Sequence, residues 1–402
     1  MGLAKILLGT SGWSYEDWVG VFYRSSNESK LYRYSRTFET VEIDSTFYSY
    51  PDPRVIASME KVVPENFIFS AKVPRLITHK KRLSLSEGIE EDLNRFLEIL
   101  RPLSNSGKLG VLLIQLPPSF TYDKHEDLLK NFLKILPNDY RFAVEFRDPS
   151  WLRENSLNLL SRYEVAYTIV DEPLLPPELH VTTDFSYVRW HGRGVNPWYN
   201  YHYSREGLEP WKDKLNELSD KVDVIYGYFN NHFHGYAVHN CLQVLEILGI
   251  ITPAQKEILE EVEKNLAKPA KTVESLSIYI SPEKLPSNLR DLLKILVSES
   301  RLRRAEKMDK NLIKILERSE KYLSAEVKEY GVIMDLDRRL ILHDCADWER
   351  IRVEFKLCKH IAALLLNLDE DYAKNILKDI IMNRGLWNFE RLERSGGTFS
   401  NS

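Results

Sequence analysis

The chain has 402 residues, 43% of them hydrophobic and 28% charged, with a formal net charge of −4; this is the make-up of an ordinary globular protein of roughly two or three domains. That balance excludes a chain that is basic throughout, so any nucleic-acid face has to be local. Three cysteines make no disulfide framework and point to a reducing, cytoplasmic setting; residues 1–9 are too short for a signal peptide core, and no run reaches the ~18 apolar residues of a membrane span.

Residues 1–240 repeat one theme: a short apolar or β-branched run, a polar cluster, then an amphipathic helical stretch. The runs fall at 4–9, 40–43, 67–71, 110–115, 142–145, 165–169, 185–190 and 222–226. Helical patterns separate most of them. Within 89–103, for example, Leu93, Phe96, Leu97 and Leu100 recur at helical spacing. Eight strands alternating with helices predict an α/β chain built on a (β/α)8 TIM-type barrel, with a doubly wound open sheet as the competitor. Residues 241–330 read as a helical connector, with helices over 242–248, 253–266 and 288–323 and a linker at 268–275. The basic stretch 301–310 is either a solvated helix face or a phosphate-contacting one. Residues 331–389 are expected to form a small ββα zinc-finger module with a terminal helix, and 390–402 a disordered tail.

Active sites in barrels gather at the C-terminal ends of the strands. The acid–base candidates there are Glu42, Asp44, Lys72, Glu145, Asp171 and His191. Carboxylates set beside cations and an imidazole have their pKa values pushed apart, as general acid–base work requires. Candidates for holding substrate are Thr10, Ser11, Trp13, Tyr48, His79, Gln115, Arg147, Trp151, Arg189, Asn230 and Asn231. Arg147 and Arg189 are expected to fork onto phosphate oxygens, and Lys72 to act as a point charge. Trp13, Phe47, Tyr48, Trp151, Trp190, Trp198, Tyr199 and Tyr201 offer flat faces for bases or sugars. The plainer alternative is an internal salt-bridge network with core aromatics. A divalent metal on Glu42, Glu145, Asp171 and His191 is a less favoured reading, since no H-E-x-x-H motif is present. So are a metal on His232 and His234 and a Schiff-base role for Lys72. Cys241 reads as a core thiol.

The second constellation is His343-Asp-Cys345, twelve residues, then Cys358-Lys-His360. Residues two apart on an extended segment point to one side, so each pair can bite the same ion. Four N/S ligands suit one tetrahedral structural zinc per chain. A hairpin over 332–342, turning near Asp337-Arg338, precedes the first pair, and an apolar helix over 361–368 follows the second.

Seven motifs occur in order: Gly9-Thr-Ser-Gly-Trp13, Glu42-x-Asp-Ser-Thr-Phe-Tyr48, Ala71-Lys-Val-Pro74 with Thr78-His79, Gln115-Leu-Pro-Pro118, Val144-Glu-Phe-Arg147 with Ser150-Trp151, Arg189-x-His-Gly192, and Tyr228-Phe-Asn-Asn231. Together they resemble the YecE-like barrels (domain of unknown function 72). The resemblance implies a TIM-type barrel and little about chemistry. Cys358-Lys-His360 with its apolar helix resembles the second half of a SWIM zinc finger, with His343 standing where that family has Cys. This resemblance implies contacts with DNA or protein. The first functional expectation is a nucleic-acid-processing enzyme, a DNA-repair-type nuclease or hydrolase, with DNA ahead of RNA and the finger helping to hold it. The alternatives are an enzyme for a small phosphorylated or sugar-like metabolite, and a non-catalytic adaptor that binds a protein partner through the finger.

Overall fold

A computed structural model describes residues 4–25, 27–194, 199–267, 285–336, 339–352, 356–383 and 387–392. They fall into two compact units, 4–267 and 285–392. The expected linker at 268–275, Trp198, the Asp337-Arg338 turn and tail residues 393–402 lie outside the described residues.

In the first unit, all eight expected runs are strands: β1 Lys5–Thr10, β2 Thr40–Ile43, β3 Ile68–Lys72, β4 Leu109–Gln115, β5 Arg141–Glu145, β6 Ala166–Asp171, β7 Phe185–Trp190 and β8 Val224–Phe229. Between them run α1 Lys30–Ser35, α2 Pro53–Val62, α3 Ile89–Asn105, α4 Tyr122–Leu133, α5 Glu154–Arg162, α6 Arg205–Leu208 and α7 Pro210–Ser219, and α8 Tyr236–Ile247 and α9 Pro253–Ala267 follow β8. Helix starts are written locally. At α2 the Asp52 side chain accepts the Arg54 N–H while Pro53 occupies the first turn.

The strands pair in parallel in the order β1-β8-β7-β6-β5-β4-β3-β2. This sheet closes at the β1/β2 seam, where Ser11 bridges Glu42 and the Gly12 N–H donates to the Glu42 carbonyl at 2.8 Å. The Tyr34 hydroxyl fills the seam below, accepting from the Thr10 N–H (2.8 Å) and donating to the Thr40 carbonyl (3.2 Å). Gly9 is required there, because a Cβ would stand 2.2 Å from the Thr40 carbonyl oxygen. Leu7, Val111, Leu113, Phe185, Tyr187, Tyr226 and Tyr228 fill the lower barrel. The outward strand residues share a core with the inner faces of the helices, such as Phe96, Leu100 and Leu103 of α3.

The C-terminal region is mixed rather than a helical connector followed by a finger. Helices α8 and α9 belong to the barrel's unit. The expected helix over 288–323 is α10 Leu289–Leu296 and α11 Glu299–Glu306, and it then gives way to strands β9 Ile313–Arg318 and β10 Tyr322–Val327. Extended backbone at Val297 and Ser298 separates the helices, and the inward Leu323, Ala325 and Val327 recur at every second residue. β11 Tyr330–Asp335 and β12 Leu340–His343 pair antiparallel, as the hairpin expectation requires. They are followed by α12 Ala346–Ile351, α13 Lys359–Leu366 and α14 Glu370–Met382. The terminal helix ends earlier than expected, and β13 Asn388–Arg391 joins β12 in parallel, giving the sheet order β13-β12-β11-β10-β9.

Candidate functional site: barrel mouth and His/Cys cluster

Every second residue of a strand faces the barrel interior, which brings Ser11, Glu42, Lys72, Gln115, Glu145, Arg189 and His191 together at the C-terminal ends. The floor of the mouth is a chain of charged hydrogen bonds. Glu42 accepts from Ser11 Oγ (2.5 Å), Tyr187 Oη (2.7 Å) and Arg189 Nη2 (2.7 Å). Glu145 accepts from Arg189 Nη1 (2.7 Å), Arg147 Nε (2.5 Å) and Gln115 Nε2 (2.9 Å). Arg147 Nη1 continues to Glu172 Oε2 at 2.6 Å. Glu42, Glu145 and Arg189 have fully buried side chains.

The two arginines overcome the cost of burying Glu145 and hold its carboxyl well below the usual range. Glu172 goes the other way. Burial outweighs the Arg147 guanidinium and pushes it up to about 7, and its Oε1 has no hydrogen-bond partner. Burial and the adjacent Arg147 push His191 down to about 3. The ring is neutral. Its Nε2 stands 3.1 Å from Arg147 Nη2 and 3.3 Å from Glu145 Oε1, and its Nδ1 stands 3.0 Å from the Asn230 amide nitrogen.

Above this floor lies the rim. Lys72 Nζ is 2.5 Å from Asp44 and 4.0 Å from Glu42. Burial alone would raise the Asp44 carboxyl, but the Lys72 ammonium outweighs it and the net shift is down. The Phe47 ring lies 5.8 Å from Lys72 Nζ and meets His79 edge-on. Tyr48 is exposed, and Trp13 is half-buried. Across the mouth, His232 stacks between Tyr15 (4.5 Å) and Tyr199 (5.4 Å).

Several expected site residues are placed elsewhere. Asp171 shares the outward register of Tyr167 and Ile169, so its carboxylate meets Trp211 Nε1 and forks with Arg193 behind the barrel wall. The next inward position, Glu172, takes its place; the alternation of β6 was the signal for it. Trp151 is a core residue, donating to the Phe120 carbonyl and stacked on Phe146. Trp190 is buried against Phe229 and Trp211, and Tyr201 meets Tyr203 edge-on. Asn231 ties Tyr201 to Asn240, and Thr10 belongs to the seam. Arg189 cannot fork onto a phosphate, because both terminal nitrogens hold carboxylates. Cys241 is a buried thiol pushed up by burial.

In the second unit, one ligand atom each from His343, Cys345, Cys358 and His360 lies within 4.8 Å of the others. Among the described residues this is the only group of three or more such side chains spaced for an ion. The barrel quartet does not form one, since Asp171 faces away and Glu42 and Glu145 are engaged by arginine. His343 ends β12, Cys345 and Cys358 cap the N-termini of α12 and α13, and His360 lies in the first turn of α13. His343 Nδ1 donates to the Gly331 carbonyl (2.5 Å), which leaves Nε2 buried without a partner. That orientation turns a lone pair toward the cysteines, as in a metal-ligating histidine. The Cys358 hydrogen bond draws the Cys345 thiol far below its ordinary range, and burial together with the Cys345 charge pushes Cys358 up. The residues fit a bound metal ion.

The first unit is thus a parallel (β/α)-type barrel with its charged groups gathered at the mouth. The family described as "Protein of unknown function DUF72" matches residues 7–264, and the chain belongs to that family. It is similar to the UPF0759 protein YunF of Bacillus subtilis (strain 168), at 31% identity over 271 residues, covering 61% of this chain and 95% of that protein. It is also similar to the UPF0759 protein YecE of Escherichia coli (strain K12), at 29% over 157 residues, 38% of this chain and 54% of that one. Among solved structures, a DUF72 family protein from Thermotoga maritima is 34% identical with a TM-score of 0.55, covering 61% of this chain and 99% of that chain. Another, from Enterococcus faecalis, is 28% identical with a TM-score of 0.53, covering 61% and 98%.

Proposed function

We propose that the barrel is an acid–base enzyme acting on a small polar metabolite, phosphorylated or sugar-like, at the C-terminal mouth. The observation that carries this reading is the mouth's own charge balance. Lys72, Arg147 and Arg189 face Glu42, Asp44, Glu145 and Glu172. With Glu172 protonated, the cations and anions cancel. Such a floor has little surplus field to draw in a polyanion. It is preorganised to hold a proton donor, Glu172, beside a neutral imidazole, His191. Lys72 supplies the donor for negative charge developing on a substrate oxygen.

A panel of sugars and sugar phosphates, read by thermal shift on the wild type and on Glu172→Gln, tests it. The expected result is one compound class that stabilises both proteins and is turned over only by the wild type. Stabilisation by DNA alone would overturn it.

A second reading, a nuclease or hydrolase acting on nucleic acid, DNA ahead of RNA, is favoured by the Tyr15–His232–Tyr199 stack and exposed Tyr48 around Lys72, which are faces suited to unpaired bases. Gel shifts with single-stranded and duplex DNA and RNA at low salt test this, and failure to bind any of them eliminates it. In the second unit, the His/Cys group is proposed to hold one structural zinc. Four protein ligands would fill its tetrahedron and leave no position for a reactive water. That metallised module, similar to a SWIM finger, would dock nucleic acid or a protein.

A further inference from the structure

The arginines expected to hold phosphate are committed to carboxylates. Two others beside the mouth are not. Both belong to the turn after β3, where the backbone is unusual. A single π-helical turn spans Leu76–Lys80, and Arg82 (φ 49°) and Leu83 (φ 59°) are both left-handed although neither is glycine. Non-glycine residues keep such angles only where their surroundings impose them. Leu83 is locked by complete burial. Arg82 is locked by its side chain, which donates to the Ser119 carbonyl (2.8 Å), Ser119 Oγ (3.2 Å) and His125 Nε2 (2.9 Å). The His125 Nδ1–H is turned to the Thr121 carbonyl at 2.9 Å, so Nε2 is an acceptor. None of these partners is a carboxylate, so Arg82 has no counter-ion among the described residues. Arg75, just before the π turn, is exposed and has no carboxylate partner among the described residues.

His79 lies between them, its ring edge-on to Phe47 at 5.0 Å. The Thr78 hydroxyl stands 2.9 Å from its Nδ1. The same hydroxyl also donates to the Pro74 carbonyl at 3.4 Å. Burial first, then Arg75, Arg147, Lys72 and Arg82, push His79 down to about 4. The charged neighbours that act most strongly on it are positive. The rim next to His79 therefore differs from the balanced floor beneath it.

We propose that Arg75, Arg82 and the His79 ring form a phosphate subsite at the rim of the mouth. It grips the phosphate of a substrate whose reacting end lies over Lys72 and Asp44. The proposal deepens the reading of the mouth as an active site and rests on it for the position of the reacting end. A phosphate dianion suits the place better than a carboxylate, because two guanidinium charges lack counter-ions and a carboxylate neutralises only one. The exposed Arg75 also offers forked N–H donors that match phosphate oxygens, while Arg82 contributes its charge.

The test is calorimetric titration of the full-length protein with inorganic phosphate, using the wild type, Arg75→Gln, Arg82→Gln and Glu172→Gln. Phosphate should bind the wild type and Glu172→Gln alike, and Arg75→Gln at least about tenfold more weakly. Arg82 also anchors the Ser119 loop, so the exposed Arg75 carries the decision. Undiminished binding to Arg75→Gln, or no binding to the wild type, overturns the subsite. Loss of turnover in Glu172→Gln is read separately, so failure of the rim and failure of the acid–base reading are distinct results. Competition assigns the source of the group. Displacement of phosphate by ribose 5-phosphate more readily than by an oligothymidylate places it on a metabolite, and the reverse order places it on a polymer; either order supports the subsite.

Discussion

The two clusters of buried polar side chains in this chain solve opposite problems. The barrel floor holds acids and bases that satisfy one another, with Arg189 buried between Glu42 and Glu145. The C-terminal cluster holds four groups that all offer lone pairs, with His343 Nε2 unpartnered. The first is complete as a protein structure. The second is spaced to hold a cation. A network of charges is thus compatible with a working site that carries no metal, while four N and S groups converging on one point suit a metal ion.

The largest expected effect separates the two directly. Elemental analysis should find one zinc per chain, and Cys345→Ser with Cys358→Ser should abolish it. Structural zinc sites contribute about 10–16 kcal/mol of apparent binding free energy. The double variant or a strong chelator should therefore remove the thermal transition of the second unit and leave that of the barrel. Full zinc content in the double variant would break the comparison by moving the site.

Next comes Arg189→Met, which strands two buried carboxylates. Breaking a buried pair costs about 3–5 kcal/mol, to be read by chemical denaturation, and chelator should not change the loss. A shift below ~1 kcal/mol, the scale of exposed pairs, would mean that solvent reaches the floor.

The pH dependence is smaller and has a definite sign. Glu172 titrates near 7 in the folded chain, above its ordinary 4.5. Its contribution to stability is complete below pH 4.5 and is lost as pH rises through 7. His191, lowered from 6.5 to about 3, acts in the other direction, with stability lost as pH falls from 6.5 toward 3. Glu172→Gln should flatten the alkaline side of the stability profile between those limits and leave the acid side unchanged. An unchanged alkaline side in that variant would remove Glu172 as the group that holds the proton. The smallest effect is at the barrel seam, where Tyr34→Phe should cost about 1–3 kcal/mol, because it leaves the buried Thr10 N–H and Thr40 carbonyl without that partner, with no change in zinc content.

The sequence by itself determined the eight strands, because period-two and helical hydrophobic patterns are local, and it determined the four metal-ligand candidates, because their spacing is local too. It also placed Glu42, Lys72, Glu145 and His191 at one mouth, through strand alternation and the rule that barrel chemistry sits at the C-terminal ends. What it did not determine was which charges neutralise which. Arg189 was expected to be free for phosphate, yet it lies between two carboxylates brought from β2 and β5, strands distant in the chain. Asp171 was assigned to the mouth, although the alternation of β6 already gave the inward place to Glu172; the folded barrel shows Asp171 held outside by Trp211 and Arg193. The short strands β9 and β10 were hidden under a helical pattern, because β9 is held by β10 and β10 by β11, pairings made only in the folded sheet. Side-chain direction and ion pairing depend on distant partners, and those partners meet only in the folded chain.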